Sequence, residues 1–253
     1  MTLPENDVRD EVTSDRGATL GNGETVLALD HVSAAYGDSV VLRNFSLTVP
    51  RRSVVTLLGP NGAGKTTVMR LVSGTLRPTA GTITLNGVDV TGVAAHKRAM
   101  MGECLIPEGR GIFRSLSVRE NLNLFRPNTS RDVALDEVLE VFPVLAARLN
   151  QIAGTLSGGE QQMLALSRAF FAKPDIVLVD EVSIGLAPKI VDQIFEILRR
   201  LASEGVSLLI VEQYVRRALE LADTVYLLSR GETVLQGSTK EITYHEVADA
   251  YLR

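Results

Sequence analysis

Three clusters of residue types in this chain carry chemistry. Gly59-Pro60-Asn61-Gly62-Ala63-Gly64-Lys65-Thr66-Thr67 is a glycine-rich turn ending in a lysine and two hydroxyls. Such a turn can aim backbone N–H groups at phosphate oxygens, with Lys65 as a point charge at the β/γ-phosphates and the Thr66 hydroxyl as a Mg²⁺ ligand. Ile176-Val177-Leu178-Val179-Asp180-Glu181 is an apolar run closed by two acids, one suited to a metal shell and one to an attacking water. Leu156-Ser157-Gly158-Gly159-Glu160-Gln161-Gln162 opens a helical run with capping-box spacing between Ser157 and Glu160, and a helix start with two glycines suits an anion.

These residues need a scaffold, and the periodicity supplies one. The apolar run Ser53–Leu58 reads as a buried strand feeding the glycine-rich turn, and Val68, Leu71 and Val72 mark the helix after it. Apolar strands at Ile176–Val179, Ser207–Val211 and Thr224–Leu228 alternate with helical patterns, one of them carrying Ile190, Val191, Ile194, Ile197, Leu198 and Leu201 on a single face. This is the pattern of an α/β core with a largely parallel sheet. Val26–Val32, the alternation at Phe45, Leu47 and Val49, and a hairpin at Thr82–Val90 around Asn86-Gly87 predict an antiparallel β subdomain. Ser117 and Glu120 as a capping box, with Val133, Leu135, Val138, Leu139 and Phe142 at helical spacing, predict a helical subdomain at about residues 108–160, inserted in the core. Residues 26–253 then form a single nucleotide-binding domain.

Composition narrows the function classes. The 253 residues include 26 Lys+Arg and 30 Asp+Glu, a net charge of −4, which argues against a nucleic-acid partner. Residues 1–25 alone balance to −4, with Glu5, Asp7, Asp10, Glu11, Asp15 and Glu24 against Arg9 and Arg16. So polar a segment is expected to be a mobile acidic tail. Cys104, the single cysteine, sits in an apolar stretch and reads as core. His31, His96 and His245 are too widely spaced to form a ligand set, and Arg110, Arg114 and Arg119 read as a solvated loop. No apolar run approaches the ~20 residues that cross a bilayer, so work at a membrane requires a partner to hold the chain there.

Taken together, the phosphate loop, the Leu156–Gln162 segment and the strand ending in Asp180-Glu181 resemble those of ATP-binding cassette (ABC) ATPases, across about Val26 to Gln236. Within them, Ile106-Pro107-Glu108-Gly109-Arg110, Ser183-Ile184-Gly185-Leu186-Ala187-Pro188 and Val211-Glu212-Gln213 resemble the LivF-type ATP-binding subunits of branched-chain amino acid importers. The resemblance implies a P-loop ATPase using ATP and Mg²⁺, in which Tyr36 stacks on adenine. Thr66, Asp180 and Glu108 would serve the metal, and Glu181 would polarise the attacking water. Gln213 stands where a switch histidine is usual, so it can hydrogen-bond a γ-phosphate but carries no charge. Val182 and Ala187 replace a customary proline and aspartate.

The partners implied are a second ABC ATPase subunit, either a paralogue or a copy of this chain, and transmembrane permease subunits reached through Glu108–Asn121. Indirectly, an extracytoplasmic solute-binding protein is implied as well. In such a nucleotide sandwich, Ser157, Gly158, Gly159 and Glu160 would face the partner's ATP. The expected place is the cytoplasmic face of a bacterial plasma membrane, and the expected cargo a branched-chain amino acid or related small polar solute. The rival expectations are a non-transport ABC ATPase and a nucleotide-gated module that binds without hydrolysis; Glu181 argues against the second.

Overall fold

Alternating apolar and polar residues from position 25 to position 50 form two long antiparallel strands, β1 (Thr25–Tyr36) and β2 (Ser39–Pro50). Their inward side chains, among them Leu27, Leu29, Phe45, Leu47 and Val49, are buried. The computed structural model describes residues 24–126 and 134–251; residues 1–23 of the acidic segment, and Val133 of the helical reading, lie outside the described residues. Glu24 and Thr25, which composition assigns to the tail, belong to the body. Thr25 pairs with Pro50, and the Glu24 carbonyl accepts from the Arg51 N–H at 2.7 Å. Backbone pairing, which charge counting does not register, sets that boundary.

The chain continues through β3 (Val54–Leu58), buried at every position, and across the glycine-rich turn into α1 (Lys65–Val72). The expected hairpin is β4 (Ala80–Leu85) and β5 (Val88–Asp89), with Asn86 at φ 52° and Gly87 at φ 77°, the left-handed pair a tight two-residue turn requires. Next come α2 (Ala95–Met100), β6 (Glu103–Ile106) and α3 (Val118–Phe125), the last opened by the Ser117–Glu120 capping box. The helical pattern near Phe142 is two pieces, α4 (Leu135–Val141) and α5 (Pro143–Ala146), because Pro143 can start a helix but not continue one. A 3-10 turn (Ala153–Thr155) leads into α6 (Gly158–Ala172). The remainder alternates: β7 (Ile176–Asp180), α7 (Pro188–Ser203), β8 (Ser207–Val211), α8 (Val215–Leu221) and β9 (Thr224–Ser229), then β10 (Glu232–Ser238) and α9 (Tyr244–Tyr251).

Two sheets result. One is antiparallel in the order β2-β1-β4-β5; the other has the order β10-β9-β3-β8-β7-β6, parallel from β9 to β6 with β10 antiparallel at the edge. The period of two along β7 divides the core. Ile176 and Leu178 join α1 and the antiparallel sheet, whereas Val177 and Val179 join Leu164 of α6 and Ile194 and Leu198 of α7. Each fully buried side chain of this kind contributes about 1.5–3 kcal/mol. Cys104 is buried, as expected, and burial pushes its thiol up to about 12, which keeps it unreactive.

The core also holds a cation away from the glycine-rich turn. Arg98 is 1% exposed and donates from Nε to the Val93 carbonyl at 3.0 Å, from Nη1 to the carbonyls of Leu71 (2.8 Å) and Val72, and from Nη2 to that of Val90 at 2.6 Å. Leu71 and Val72 close α1, so the guanidinium satisfies carbonyls that a helix end leaves without intrahelical partners. The helix that follows the glycine-rich turn is thereby fastened at its far end.

Candidate functional site

The turn from Gly59 to Thr67 crosses from β3 to α1 at the carboxyl edge of the parallel sheet. Gly59 has to be glycine: a Cβ there would lie 2.3 Å from the carbonyl oxygen of Leu228 on β9. Lys65 is 4% exposed, and its ammonium donates to the carbonyls of Gly59 at 2.8 Å and Pro60 at 3.2 Å. It also stands 3.6 Å from Glu181 Oε1. Thr66 is exposed at the start of α1, whereas Thr67 is buried. No acidic residue occupies the first turn of α1, so the positive end of its dipole is not neutralised there. A cleft of about 370 Å³ opens beside it, lined by Gly59, Pro60, Asn61, Gln213 and Val215.

Asp180 and Glu181 reach this edge from β7, and Gln213 follows the end of β8. Burial, then the charges of Glu181 and Glu108, push Asp180 up to about 6, with Lys65 and Arg70 pulling the other way. Glu108 therefore acts on the same point as Asp180, and this crowding of negative charge suits a divalent cation. Among the described residues no three His, Cys, Asp or Glu side chains gather as a metal site, so a cation here would need phosphate oxygens to complete its shell. Glu181 takes a left-handed backbone, φ 48°, and its Oε2 accepts from Gln213 Nε2 at 3.4 Å. Residues far apart in sequence, Lys65, Asp180, Glu181 and Gln213, are thus brought to one place, with the charge of Glu108 felt at Asp180.

Tyr36 ends β1 with its side chain 41% exposed. Its hydroxyl accepts from Arg70 Nη1 at 3.2 Å, and the guanidinium lies 5.9 Å from the ring centroid. Because Arg70 belongs to α1, the ring is tied to the helix that carries Lys65 while keeping surface for stacking.

The Ser157–Glu160 stretch has other neighbours. Ser157 caps α6 and closes the expected capping box with Glu160, whose carboxylate also pairs with Arg148 at 2.6 Å. Gly159 packs so tightly that a Cβ would meet Ile190 Cγ2 of α7 at 2.6 Å. Arg110 departs from its expected place in a solvated loop. It is half-buried and donates to the side chain of Gln161, which is 4% exposed and needs a donor for its amide oxygen. A Cβ on Gly158 would lie 3.2 Å from the same guanidinium. Arg168 of α6 holds the other side of this loop, donating to the carbonyls of Leu105 at 3.2 Å and Gly111 at 2.5 Å. The loop bearing Glu108 is thus bound to the helix that Ser157 caps. Sequence reasoning missed Arg98 and Arg168: Arg98 follows His96 and Lys97 and reads as solvated, whereas Arg168, ahead of Ala169 and Phe170, carries a faint signal of burial but none of its acceptors.

A phosphate loop after a core strand, with acids at the end of a parallel strand in the same sheet, defines a P-loop nucleoside triphosphatase. The family described as ABC transporter matches residues 42–183. The branched-chain amino acid transport ATP-binding protein BraG of Pseudomonas aeruginosa is 42% identical over 231 residues, covering 90% of this chain and 99% of that protein. A probable branched-chain amino acid transport ATP-binding protein, LivF of Archaeoglobus fulgidus, is 33% identical over 219 residues, with 85% and 93% covered. The lipopolysaccharide export ATP-binding protein LptB of Haemophilus influenzae is also 33% identical, over 229 residues, with 88% and 94% covered. Among solved structures, an ATP-binding subunit of an ABC transporter superposes with a TM-score of 0.79 at 24% identity, covering 90% of this chain and all of that one. The chain belongs to the ABC transporter family, and like that family it is an ATPase. Such subunits work with transmembrane components, and among the described residues no helix is long and apolar enough to cross a membrane.

Proposed function

We propose that this chain powers an importer of branched-chain amino acids or a related small polar solute, as one half of a nucleotide-sandwich dimer at the cytoplasmic face of a bacterial plasma membrane. The observation that carries the chemistry is the meeting of Lys65, Glu181 and Gln213 at one edge of the parallel sheet. Lys65 compensates the β/γ-phosphates, Glu181 polarises the attacking water, and Gln213 donates to that water or to the γ-phosphate. Mg²⁺ bound with ATP would neutralise phosphate charge; Thr66, Asp180 and Glu108 are the residues that would hold it. Tyr36 stacks on adenine, and the phosphate loop from Gly59 to Thr67 cradles the phosphates.

Ser157, Gly158, Gly159 and Glu160 would face the partner's ATP, whether the partner is a paralogue or a copy of this chain. Transmembrane permease subunits would receive the closing motion through Glu108–Asn121, and a solute-binding protein would deliver cargo from outside. The import reading is supported by the higher identity to BraG; the similarity to LptB supports a second reading, export. Vesicles containing the co-purified complex test both. ATP-driven uptake from a panel of amino acids and amides is expected, and ATPase activity stimulated by lipid substrates without any uptake would replace import with export.

A further inference from the structure

Glu212 is fully buried and stands next to the site without touching the cleft. Its carboxylate joins two segments. Oε1 accepts from the Ser183 N–H at 3.2 Å, and Oε2 accepts from the Ser183 hydroxyl and from the Gln213 N–H at 3.1 Å. Ser183 is also fully buried, so these bonds are sheltered from water. A second tie runs alongside them, from the Glu181 N–H to the Val211 carbonyl at 2.8 Å.

The two ties enclose a strained position. Glu181 is a non-glycine residue in the left-handed region, a conformation that persists only where its surroundings over-determine it. Here the surroundings are Val211 on one side and Glu212, through Ser183, on the other. The Gln213 amide completes the circuit by donating back to Glu181. The turn after β7 and the end of β8 therefore form one circuit, in which the hydrogen bonds Ser183–Glu212, Glu212–Gln213 and Gln213–Glu181 are closed by the backbone from Glu181 through Val182 to Ser183. A buried carboxylate is costly to keep where an apolar residue would pack, and what it supplies is donor-directed geometry that an apolar side chain lacks.

From this we infer that Glu212 is a positioning residue for ATP hydrolysis, holding Glu181 and Gln213 in register with each other and with the segment that starts at Ser183. The inference rests on the roles proposed above for Glu181 and Gln213. It also predicts that the two side chains respond together to displacement of Ser183.

The test uses the full chain and reads kcat, ATP affinity by calorimetry and melting temperature for Glu212→Gln, Ser183→Ala, Gln213→Ala and the Glu212→Gln/Gln213→Ala pair. Glu212→Gln keeps the shape but presents an amide donor to groups that donate. It is expected to lower kcat at least tenfold while ATP affinity stays within twofold, and Ser183→Ala to lower kcat several-fold. In the Gln213→Ala background, Glu212→Gln is expected to cost threefold or less. Unchanged kcat in Glu212→Gln, full multiplication of the two losses, or a parallel loss of ATP affinity overturns the inference. Should Glu212→Gln not fold, Ser183→Ala decides, and wild-type kcat there overturns it. Glu181→Gln is the separate control: wild-type hydrolysis in that variant defeats the parent reading, whereas its failure to hydrolyse beside an active Glu212→Gln defeats only the role of Glu212.

Discussion

Lys65 Nζ and Glu181 Oε1 lie 3.6 Å apart, an ion pair formed where the phosphate loop faces the end of β7. The same ammonium donates to two loop carbonyls, so phosphate oxygens must compete with Glu181 for it. Glu181→Gln removes both the competing charge and the group proposed to polarise water. ATP affinity should be equal to or tighter than wild type, with hydrolysis down at least a hundredfold. Calorimetry and phosphate release measure the two effects separately, and near-wild-type turnover would remove Glu181 from its role.

Binding and chemistry separate at two other positions. Lys65→Ala should weaken ATP and ADP binding as well as abolish turnover, because the charge proposed to face the phosphates is gone. Tyr36→Ala should cost about 1–2 kcal/mol of ATP affinity and leave binding of inorganic triphosphate unchanged. Equal losses for both ligands would return Tyr36 to a purely structural part beside Arg70.

Asp180 makes stability depend on pH. Its carboxyl is raised from an ordinary 3.8 to about 6, chiefly by burial. The folded chain therefore holds this proton more tightly than the unfolded one. The stability so gained is complete below about pH 4 and is lost as pH rises through about 6. An amide cannot ionise, so Asp180→Asn should match wild type at pH 4 and, without nucleotide or Mg²⁺, exceed it by about 2–3 kcal/mol at pH 7.5. Thermal melts at the two pH values check this, and an identical difference at both would refute it.

Helix contact at Gly159 gives a structural test. Gly159→Ala drives a methyl to within 2.6 Å of Ile190 and should destabilise by about 1–3 kcal/mol. Ile190→Ala in the same chain should recover most of that loss, since it removes the clashing branch. Denaturant titration of the two single variants and the pair reads the coupling, and simple additivity would show that α6 and α7 move apart instead.

Arg98 should tolerate no replacement. Arg98→Met leaves the carbonyls of Val90, Val93, Leu71 and Val72 without their donor, a loss of about 3 kcal/mol or more. Lysine cannot span four acceptors from one point, so Arg98→Lys should recover little of it. Urea unfolding of both variants is the measurement, and a cost below ~1 kcal/mol for either would contradict the role given to this guanidinium.

What the sequence reveals divides along physical lines. Gly59–Thr67, Asp180-Glu181 and the Ser157 capping box are legible because their chemistry is local: each needs particular residue types at fixed offsets along one stretch of backbone. The strands are legible for the same reason, since Ile176–Val179 shows its burial in its own composition. Arg98, Arg110 and Glu212 are opaque. Their partners lie on other elements, and an arginine or glutamate in sequence reads first as solvated. The break at Phe142–Pro143 was visible in the proline, but apolar spacing alone carries across it. The start of the body at Glu24 depends on its bond to Arg51 and on the pairing of Thr25 with Pro50, which no local signal reveals.

The pairing of β6 with β7 has a further meaning. Ile106 lies beside Val179, so the chain that leaves the sheet after Ile106 returns one strand away, with α3, α4, α5 and α6 on the excursion between them. The pairing fixes its take-off and landing points, and the packing of α6 on β7 fixes its last part. The segment proposed to meet the membrane partners is therefore hung like a handle bolted at both ends to one sheet, and one of the two bolts is the strand that carries Asp180.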